Sequence, residues 1–443
     1  MPGSSSKGCP KLRSQRLNKN IHLDFMIPEK LSHSYRILHT ADWHLGKLLD
    51  DQSRDEEHAR FLDWLLSSVK QYGVDAIVLA GDVFDSANPP QSAQARYYNF
   101  VSGLFHQGGC ALVVISGNHD SGALLEAPRQ ALHALNTHVA GYLAEDPANR
   151  ILMLPDAVSP RVAIALLPFL RDRDLRVGKA GEAADEIRTQ IVAGIRARYQ
   201  ETADAAVSLH CPLIATGHLT VVGASTSESE REIHIGGLGA VNSEAFPAAF
   251  SYVALGHLHR PQATDPAGRV RYAGSPIPLS FSEAADSKEV RILDVTQGGI
   301  TQHSLAVPVF RKLVQVRCTR AGLEDVLAHC NPSPGDLRTW LEVVVEDAAL
   351  EVDLIDQVRK LAEGRNFDIL KVLRGRTEAI RGMTVGDTSD DEAISTILDN
   401  PTHVFEHLLG ERTELTEEES ATLKTTFAVL VDLNSQSETS AAP

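Results

Sequence analysis

A polar turn carrying an amide, an imidazole and a carboxylate, residues 117–120, directly follows the apolar run 111–115. Four further apolar runs also end in residues that bind metals. Because the carboxyl ends of parallel strands meet at the edge of an α/β sheet where ligands bind, these side chains are predicted to converge. The side chains collected in this way are those of Asp42, His44, Asp82, Asn118, His119, His218, His257 and His259. Taken alone, the turn is moderately specific, and the alternative is a polar turn in which Asn118 caps the next helix.

Carboxylates, an amide oxygen and imidazoles, with no thiolate, form a nitrogen and oxygen ligand set that suits Mn²⁺, Fe²⁺ or Zn²⁺ rather than a soft metal. Without His119 the set holds seven possible ligands, which is too many for one ion. It fits two octahedral ions if one carboxylate bridges them and water fills the other positions. Such a pair clamps a phosphate and lowers the pKa of a bound water, so the pattern indicates phosphoester hydrolysis.

The apolar spacing predicts the elements that position these residues. Strands are predicted near 36–41, 76–79 and 111–115, with a helix after a capping box at 53–56, a second helix beginning at Pro89 and Pro90, and a third over 124–135. Further strands are predicted at 161–167, 213–216 and 252–255, with a long helix over 182–199. Alternating strands and helices predict a layered α/β domain with a largely parallel central sheet, which the short strands of 269–307 would close.

Composition limits the partners only weakly. The formal net charge is −16, but residues 384–443 hold thirteen Asp or Glu against two Lys or Arg, a net of −11. The acidic balance therefore argues little against a nucleic-acid partner elsewhere on the chain. Five scattered Cys without a CxxC pair indicate a reducing compartment, and no apolar run reaches the length of a membrane span, so a cytoplasmic protein with no membrane partner is expected.

The ordered motifs at 42–44, 81–82, 117–120, 217–218 and 256–259 resemble the calcineurin-like binuclear metallophosphoesterases. The stretches 40–46, 216–220, 254–260 and 274–281 are similar to the branch of that family formed by the nuclease subunits of bacterial SbcCD complexes. The likeness is strong over 36–282 and looser over 310–374.

The resemblance implies a role for each site residue. One ion would be held by Asp42, His44 and His259, the other by Asn118, His218 and His257, and Asp82 would bridge them. His119 would be the catalytic residue that contacts the scissile phosphate or assists the leaving oxygen. Asp120, also assigned to the catalytic set, would hydrogen-bond His119 and orient it. The implied cofactors are two divalent ions, with Mn²⁺ expected.

The resemblance also implies the domain plan: a layered α/β sandwich with a small α/β capping domain and C-terminal helices. The expected boundaries are a disordered extension over 1–35 (with Met26 as an alternative start), the nuclease domain over 36–308, a DNA-capping domain over 309–382, and a linker with C-terminal helices over 383–443. Candidate DNA contacts in the cap are Arg311, Lys312, Arg317, Lys371, Arg374 and Arg376.

The implied activity is an ATP-dependent 3′-to-5′ double-strand exonuclease and a single-strand or hairpin endonuclease acting in DNA repair and recombination. The chain has no GxxxxGK[ST] phosphate loop, so ATP would be bound by a partner. That partner would be an SbcC-type coiled-coil ATPase in a two-plus-two complex, with the C-terminal helices docked on its coiled coil.

Two other functions remain open from the sequence. A phosphomonoesterase or cyclic-nucleotide phosphodiesterase would share the metal core, and a non-catalytic scaffold would bind no metal. Several nearby residues are predicted to be structural: Trp43 packs, Asp85 caps a helix, and His39, His210 and His234 lie off the motif pattern. Residues 225–231 are predicted to form a solvated loop, with the border of a substrate groove as the alternative.

Overall fold

The computed structural model describes residues 27–374, except 180, 228, 231–239, 331–336 and 348–352, and also describes 422–424 and 426–427. The chain divides into two compact units, 1–374 and 375–443. The second unit is described only at the five helical residues just given. The predicted extension up to residue 26, the linker, His234, Arg376 and nearly all of the predicted tail helices lie outside the described residues.

Short β-branched and aliphatic runs form the strands of the first unit. In chain order the strands are β1 (Tyr35–Thr40), β2 (Leu48–Leu49), β3 (Gln52–Ser53), β4 (Ala76–Ala80), β5 (Ala111–Ile115), β6 (Thr137–Ala140), β7 (Ile151–Leu154), β8 (Val162–Ala165), β9 (Leu213–His218), β10 (Phe250–Gly256), β11 (Gln262–Ala263), β12 (Val270–Tyr272), β13 (Glu289–Thr296), β14 (Gly299–Ala306), β15 (Leu313–Cys318), β16 (Thr339–Val345) and β17 (Phe367–Arg374). The helices are α1 (Asp55–Tyr72), α2 (Gln91–His106), α3 (Gly122–Glu126), α4 (Arg129–Ala134), α5 (Asp172–Leu175), α6 (Ala184–Ala205), α7 (Leu323–His329) and α8 (Leu354–Ala362).

The strands that precede the motifs are divided between two mixed sheets. The first has the order β14-β13-β1-β4-β5-β6, and the second has the order β11-β12-β10-β9-β8-β7. Strands β1, β4, β5 and β6 run parallel in the first sheet, as do β8, β9, β10 and β12 in the second. The predicted layered α/β architecture is confirmed, but a single central sheet is wrong.

The two sheets pack face to face, and helices cover their outer faces. Ile37 of β1 lies with Ile164 of β8 and Ile214 of β9 in the core between the sheets. Leu38, the next residue of β1, points to the opposite face, into the core with α1 and α2. Because successive strand side chains alternate between faces, a strand buried on both sides reads as a continuous apolar run. The layers are therefore helix, sheet, sheet, helix.

Local signals predicted the helix ends unevenly. Gly73, at φ 61°, ends α1 and Pro90 precedes α2, as expected. The predicted capping box is wrong: α1 begins after Arg54 with no side-chain cap, although Ser53 Oγ accepts the Asp55 N–H at 3.2 Å. The predicted helix over 124–135 is two helices, α3 and α4, separated by residues 127 and 128. Pro128 lacks an N–H and so interrupts the helical hydrogen bonds.

Residues 313–374 form a parallel three-stranded sheet, β15-β16-β17, with α7 and α8 packed on it. Trp340 of this small α/β module is buried in one cluster with Leu49, Phe281 and Leu313. The guanidinium of Arg311 lies 4.0 Å from the centre of the Trp340 ring. The module is thereby packed directly on the larger α/β domain. No helix among the described residues combines the length and the apolar character needed to cross a bilayer.

Candidate metal centre

The predicted site residues lie at the carboxyl ends of β1, β4, β5, β9 and β10, where the two sheets meet. Four of them adopt positive φ angles: Asp42 at 54°, His44 at 46°, Asp82 at 49° and His257 at 98°. Such backbone conformations are uncommon for residues other than glycine, and they cluster at functional sites because the surrounding structure must hold them. The turns after these strands are thus built to aim side chains inward.

All the predicted site residues except Asn118 are buried at this edge. Asp42, His44 and His259 form one group whose donor atoms lie within 4.8 Å of one another. Asp82 belongs to two further groups of this kind, one with His44 and His119 and one with Asp42 and His218.

Asn118 and His257 complete the constellation. Asn118 Oδ1 lies 2.9 Å from His218 Nε2. The ring of His257 packs edge-on against that of His218, with 5.4 Å between the ring centres. The structure therefore brings all the residues collected from the sequence into one site.

Asp42 and Asp82 each use one oxygen to fix the backbone, and Asp82 turns its other oxygen toward the histidines. Asp42 Oδ1 accepts the His257 N–H at 2.8 Å, and Asp82 Oδ1 accepts the His119 N–H at 2.9 Å. Asp82 Oδ2 then lies 3.4 Å from His44 Nε2 and 3.3 Å from His218 Nε2. A carboxylate oxygen between histidines of the two predicted ligand groups is where a bridging ligand is needed.

Two buried polar atoms at the site have no hydrogen-bond partner among the described residues, Asp42 Oδ2 and His44 Nε2. A buried polar atom without a partner costs about 1–3 kcal/mol, so such atoms call for an explanation. Both atoms are hard or borderline ligand atoms of the kind that bind divalent ions. The donor set and these orphaned atoms fit divalent metal binding.

The close approach of the turns requires glycine before the ligands. A Cβ on Gly117 would overlap the carboxylate and backbone of Asp82, and one on Gly81, at φ 89°, would overlap the ring of His218. Any side chain at these positions would push the site residues apart. The glycines in the motifs are thus part of the geometry that brings the ligands together.

Burial and neighbouring charges shift the pKa values of three site residues, His218, Asp42 and His257. Burial lowers the pKa of His218, but the carboxylates of Asp82 and Asp42 outweigh it and raise that pKa to about 9. Burial raises the pKa of Asp42 to about 7. Burial and the charge of His218 hold the pKa of His257 well below its ordinary value, which keeps its ring neutral and able to act as a ligand. Concentrated negative and positive groups of this kind are typical of functional sites.

The prediction that Asp120 hydrogen-bonds the ring of His119 is wrong. Nδ1 of His119 lies 2.7 Å from the backbone carbonyl of Asp85. The Asp120 carboxylate instead accepts backbone N–H groups of Gly117, Val83 and Phe84 at 2.8–3.2 Å. Asp120 therefore ties its own turn to the turn after β4, and it acts on His119 through the backbone.

Asp85, which the sequence predicted to cap a helix, has a different place. Its Oδ1 lies 3.1 Å from His44 Nδ1 and 3.1 Å from Lys47 Nζ, whereas α2 begins only at Gln91. A carboxylate on the second ring nitrogen of a ligand histidine fixes its tautomer and orientation. The sequence signal that could have found it is its position three residues after Asp82, on the same turn.

The predicted solvated loop after His218 is also corrected. Ser229 Oγ lies 2.6 Å from His259 Nδ1, and Glu230 Oε1 accepts the backbone N–H of His259 at 2.9 Å. Glu283, which the sequence did not single out, is fully buried and has an oxygen 3.3 Å from the same Nδ1. No local pattern links Glu283 to the site, because it is brought there by the tertiary fold.

Two neighbours are structural, as predicted. Trp43 is fully buried, packs edge-on against Phe61 and Phe100, and donates Nε1–H to Thr40 at 3.0 Å. His39 is fully buried on β1, with Nδ1 3.0 Å from the hydroxyl of Tyr252. His210 borders a surface cavity with Cys211, before the start of β9 and so at the opposite edge of the sheet from the site.

Two family models and several relatives match most of the chain. Residues 35–261 match the family model described as calcineurin-like phosphoesterase. Residues 309–413 match the model described as type 5 capsule protein repressor C-terminal domain. The SbcD subunit of the nuclease SbcCD from Escherichia coli strain K12 is 39% identical over 351 residues, covering 78% of this chain and 86% of that protein.

The protein of the same name from Rhodobacter capsulatus is 40% identical over 306 residues, covering 66% of this chain and 74% of that protein. A solved structure of a dimetal phosphatase from Danio rerio aligns with 61% of this chain and 98% of that chain. Its sequence identity is 12% and its TM-score is 0.35, so this last likeness supports no conclusion about the site.

Proposed function

The chain belongs to the calcineurin-like phosphoesterases and, within them, to the family of SbcD nucleases, and on that premise we propose that it is the metal-dependent nuclease subunit of an SbcCD-type complex. The reaction is hydrolysis of DNA phosphodiester bonds, with the ATP-dependent 3′-to-5′ exonuclease and hairpin endonuclease activities as its specific forms. The observation that carries the proposal is the convergence of Asp42, His44, Asp82, His218 and His259 at one buried edge.

We propose that two divalent ions, Mn²⁺ in the cell, occupy this edge. Asp42, His44 and His259 would hold one, Asn118, His218 and His257 the other, and Asp82 would be shared. The position of Asp82 Oδ2 between His44 and His218 supports this division. When bound, such a pair supplies positive charge that activates water for attack and offsets the charge developing on the phosphate.

His119 is the proposed catalytic residue among the chain's own groups. Its Nδ1 is held by the Asp85 carbonyl at 2.7 Å, so Nδ1 carries the proton and Nε2 is the proposed reacting atom. Its ring lies edge-on to that of His44, with 4.7 Å between the ring centres. A histidine fixed in this way contacts the scissile phosphate or assists the leaving oxygen through Nε2. Asp120 and Asp85 keep the two turns that carry it in register.

We propose that residues 309–382 cap the site for DNA. Of the candidate contacts, Arg317, Lys371 and Arg374 are exposed and stay proposals. Arg311 is excluded, because it is buried against Trp340 with Nε 3.0 Å from Glu57 Oε1. Its charge stabilises the contact between the module and the α/β domain instead of facing a phosphate backbone.

The proposed partner is an SbcC-type coiled-coil ATPase in a two-plus-two complex, with the C-terminal helices of this chain as the docking segment. The absence of a GxxxxGK[ST] motif from the sequence supports ATP binding by another chain. The complex is proposed to act in the cytoplasm. Cys110, Cys211, Cys318 and Cys330 are free, in keeping with a reducing compartment.

A nuclease assay tests the proposal. Metal-depleted protein is reloaded with Mn²⁺ and given linear duplex DNA, hairpin DNA or a chromogenic phosphomonoester, with and without the ATPase partner and ATP. We expect DNA cleavage that needs Mn²⁺ and that ATP stimulates only with the partner, and we expect Asp82→Asn to abolish it. Turnover of the monoester without DNA cleavage would favour a phosphomonoesterase, and protein that takes up no metal would leave only a scaffold.

A further inference from the structure

The backbone N–H, the backbone carbonyl and the ring Nδ1 of His259 all have hydrogen-bond partners, and these partners come from three separate segments. Glu230 Oε1 accepts the backbone N–H at 2.9 Å. The backbone carbonyl accepts the Ser275 N–H at 3.1 Å and Lys288 Nζ at 2.9 Å. Ser229 Oγ lies 2.6 Å from the ring Nδ1. The backbone and one edge of this histidine are therefore fixed, and the residue belongs to the donor group with Asp42 and His44.

Glu283 is the centre of this arrangement. It is fully buried in the turn after β12, and its Oε1 accepts the hydroxyl of Ser229 and lies 3.3 Å from His259 Nδ1. Its Oε2 accepts Lys288 Nζ at 2.6 Å and the Leu279 N–H at 3.2 Å. A buried carboxylate is costly unless it is paired and fully hydrogen-bonded, and Glu283 satisfies both conditions.

The hydrogen bonds determine which group donates and which accepts between Lys288, Glu283, Ser229 and His259. Lys288 is a donor only, so Glu283 accepts from it and stays a carboxylate. Ser229 donates its hydroxyl hydrogen to Glu283, which leaves its oxygen to accept from His259. His259 must then carry its proton on Nδ1, and its Nε2 keeps a free electron pair.

We propose that Glu283 is a positioning residue that, through Ser229 and Lys288, holds His259 in the Nδ1–H form with Nε2 presented to a divalent cation. The inference rests on the proposed metal centre and adds to it a carboxylate outside the five motifs. Glu283 does not touch the substrate. It sets the tautomer and the angle of a ring that does the binding.

Glu283 and Asp85 would play equivalent parts on the two histidines of one ion. Asp85 lies 3.1 Å from His44 Nδ1, and the rings of His44 and His259 are 5.1 Å apart at their centres. Asp85, however, is on a motif turn and partly exposed, whereas Glu283 is reached only through the fold. The ion held by Asp42, His44 and His259 would then depend on two carboxylates that never contact it.

The test measures Mn²⁺ binding and the state of the His259 ring in the full chain, separately from cleavage. Glu283→Gln keeps the shape of the side chain but removes its charge. Asp294→Asn is the matched control, because it removes a carboxylate that pairs with buried Arg36 at 2.8 Å on the strand edge away from the site. Calorimetry on metal-depleted protein gives the affinities, and ¹⁵N-histidine spectra of the metal-free protein give the tautomer.

We expect Glu283→Gln to weaken one of two Mn²⁺ sites by about 10–100-fold and to mix the His259 tautomers. Asp294→Asn should change neither. A folded Glu283→Gln with two wild-type affinities would overturn the inference. If that variant does not fold, Ser229→Ala removes the link to His259 without leaving Lys288 unpaired, and unchanged affinity and tautomer there would overturn it equally. Wild-type protein that binds no Mn²⁺ would instead defeat the proposed function.

Discussion

Nδ1 of His44 lies 3.1 Å from the carboxylate of Asp85, and the backbone carbonyl of the same Asp85 lies 2.7 Å from Nδ1 of His119. Asp85, in the turn that follows β4, thus orients both a proposed metal ligand and the proposed catalytic histidine. Burial raises the pKa of Asp85, but the hydrogen bond and charge of His44, with Lys47, outweigh burial and leave that pKa below its ordinary value. The group is therefore a carboxylate at neutral pH.

Asp85→Asn should weaken Mn²⁺ binding by about 10–100-fold, because the amide cannot supply the charge that holds the Nδ1–H of His44. Calorimetry on metal-depleted protein measures this change. Asp63→Asn, on the exposed face of α1, is the control and should bind as the wild type does. Equal affinities for Asp85→Asn and the wild type would show that the 3.1 Å contact does not position His44.

His119→Ala should keep two bound Mn²⁺ ions and lose cleavage of linear duplex DNA. His119 contributes to one group of donor atoms, but the proposed ligand sets of both ions are complete without it. Loss of a general acid or base typically costs about 10²–10⁴-fold in rate. Single-turnover cleavage gives the rate, and elemental analysis gives the metal content. Cleavage at the wild-type rate would remove His119 from the catalytic role, and loss of one metal would make it a ligand.

The motif residues could be predicted from the sequence because each follows a buried strand, and the end of a strand is a local signal. The sequence could not say which sheet each strand joins. Strands β1 and β9 both read as apolar runs, yet Ile37 and Ile214 meet across the interface of two different sheets. Which strands pair with one another depends on long-range contacts, which local composition does not specify. For this reason the prediction of one central sheet was wrong, although the structure brings the predicted site residues together.

Supporting residues were missed for the same physical reason. Glu283 and Lys288 reach His259 from a segment that carries no metal-ligand pattern. The sequence predicts a helix cap at Asp85 because an aspartate before a helix is common, whereas in the structure its carboxylate contacts His44. Candidate ligands can be predicted from residue type and spacing, but the groups that orient them depend on which turns the fold brings together.

Glu57→Gln should destabilise the protein by about 3–5 kcal/mol, because it leaves buried guanidinium groups without a counter-charge. Glu57 Oε1 lies 2.6 Å from Arg54 Nε and 3.0 Å from Arg311 Nε, and all three residues are buried. Chemical denaturation measures the free energy of unfolding. Glu56→Gln, with a side chain 58% exposed, is the adjacent control and should cost under about 1 kcal/mol. A similar cost for both variants would contradict a buried charge cluster.

His39→Gln should make stability less sensitive to acid. Burial lowers the pKa of His39 from an ordinary 6.5 to about 3, so the folded protein keeps the ring neutral. As pH falls below 6.5 the unfolded chain takes up the proton and the folded chain does not, and stability is lost. Between pH 7.5 and 5.0 the loss from this residue is about 2 kcal/mol.

Urea denaturation at both pH values measures the difference between His39→Gln and the wild type. The variant should lose about 2 kcal/mol less than the wild type on acidification, whatever its stability at pH 7.5. His329→Gln, with a side chain 79% exposed, is the control and should follow the wild type. Parallel losses in all three proteins would show that His39 is protonated in the folded state as readily as in the unfolded chain.

Arg171→Ala should weaken DNA binding without impairing the chemistry. The guanidinium of Arg171 lies 4.7 Å from the ring centre of Tyr142, which is 36% exposed, and Gly141 just before it accepts the Ser116 hydroxyl at 3.0 Å. This pair follows β6 and β8 at the same edge as Asn118, so a cation and an aromatic ring lie beside the site. Phosphate contacts make affinity fall with salt, by roughly one unit of slope for each contact.

We expect Arg171→Ala to raise the KM for hairpin DNA several-fold, to reduce the salt slope of DNA affinity by about one, and to leave kcat unchanged. Titrations at several salt concentrations and steady-state cleavage measure these quantities. Arg60→Ala, on the outer face of α1, removes the same charge far from the strand ends and should leave the KM unchanged. A KM unaffected by Arg171→Ala, or one raised equally by Arg60→Ala, would mean that general charge rather than this surface attracts DNA. A fall in kcat with an unchanged KM would place Arg171 in the chemistry instead of in binding.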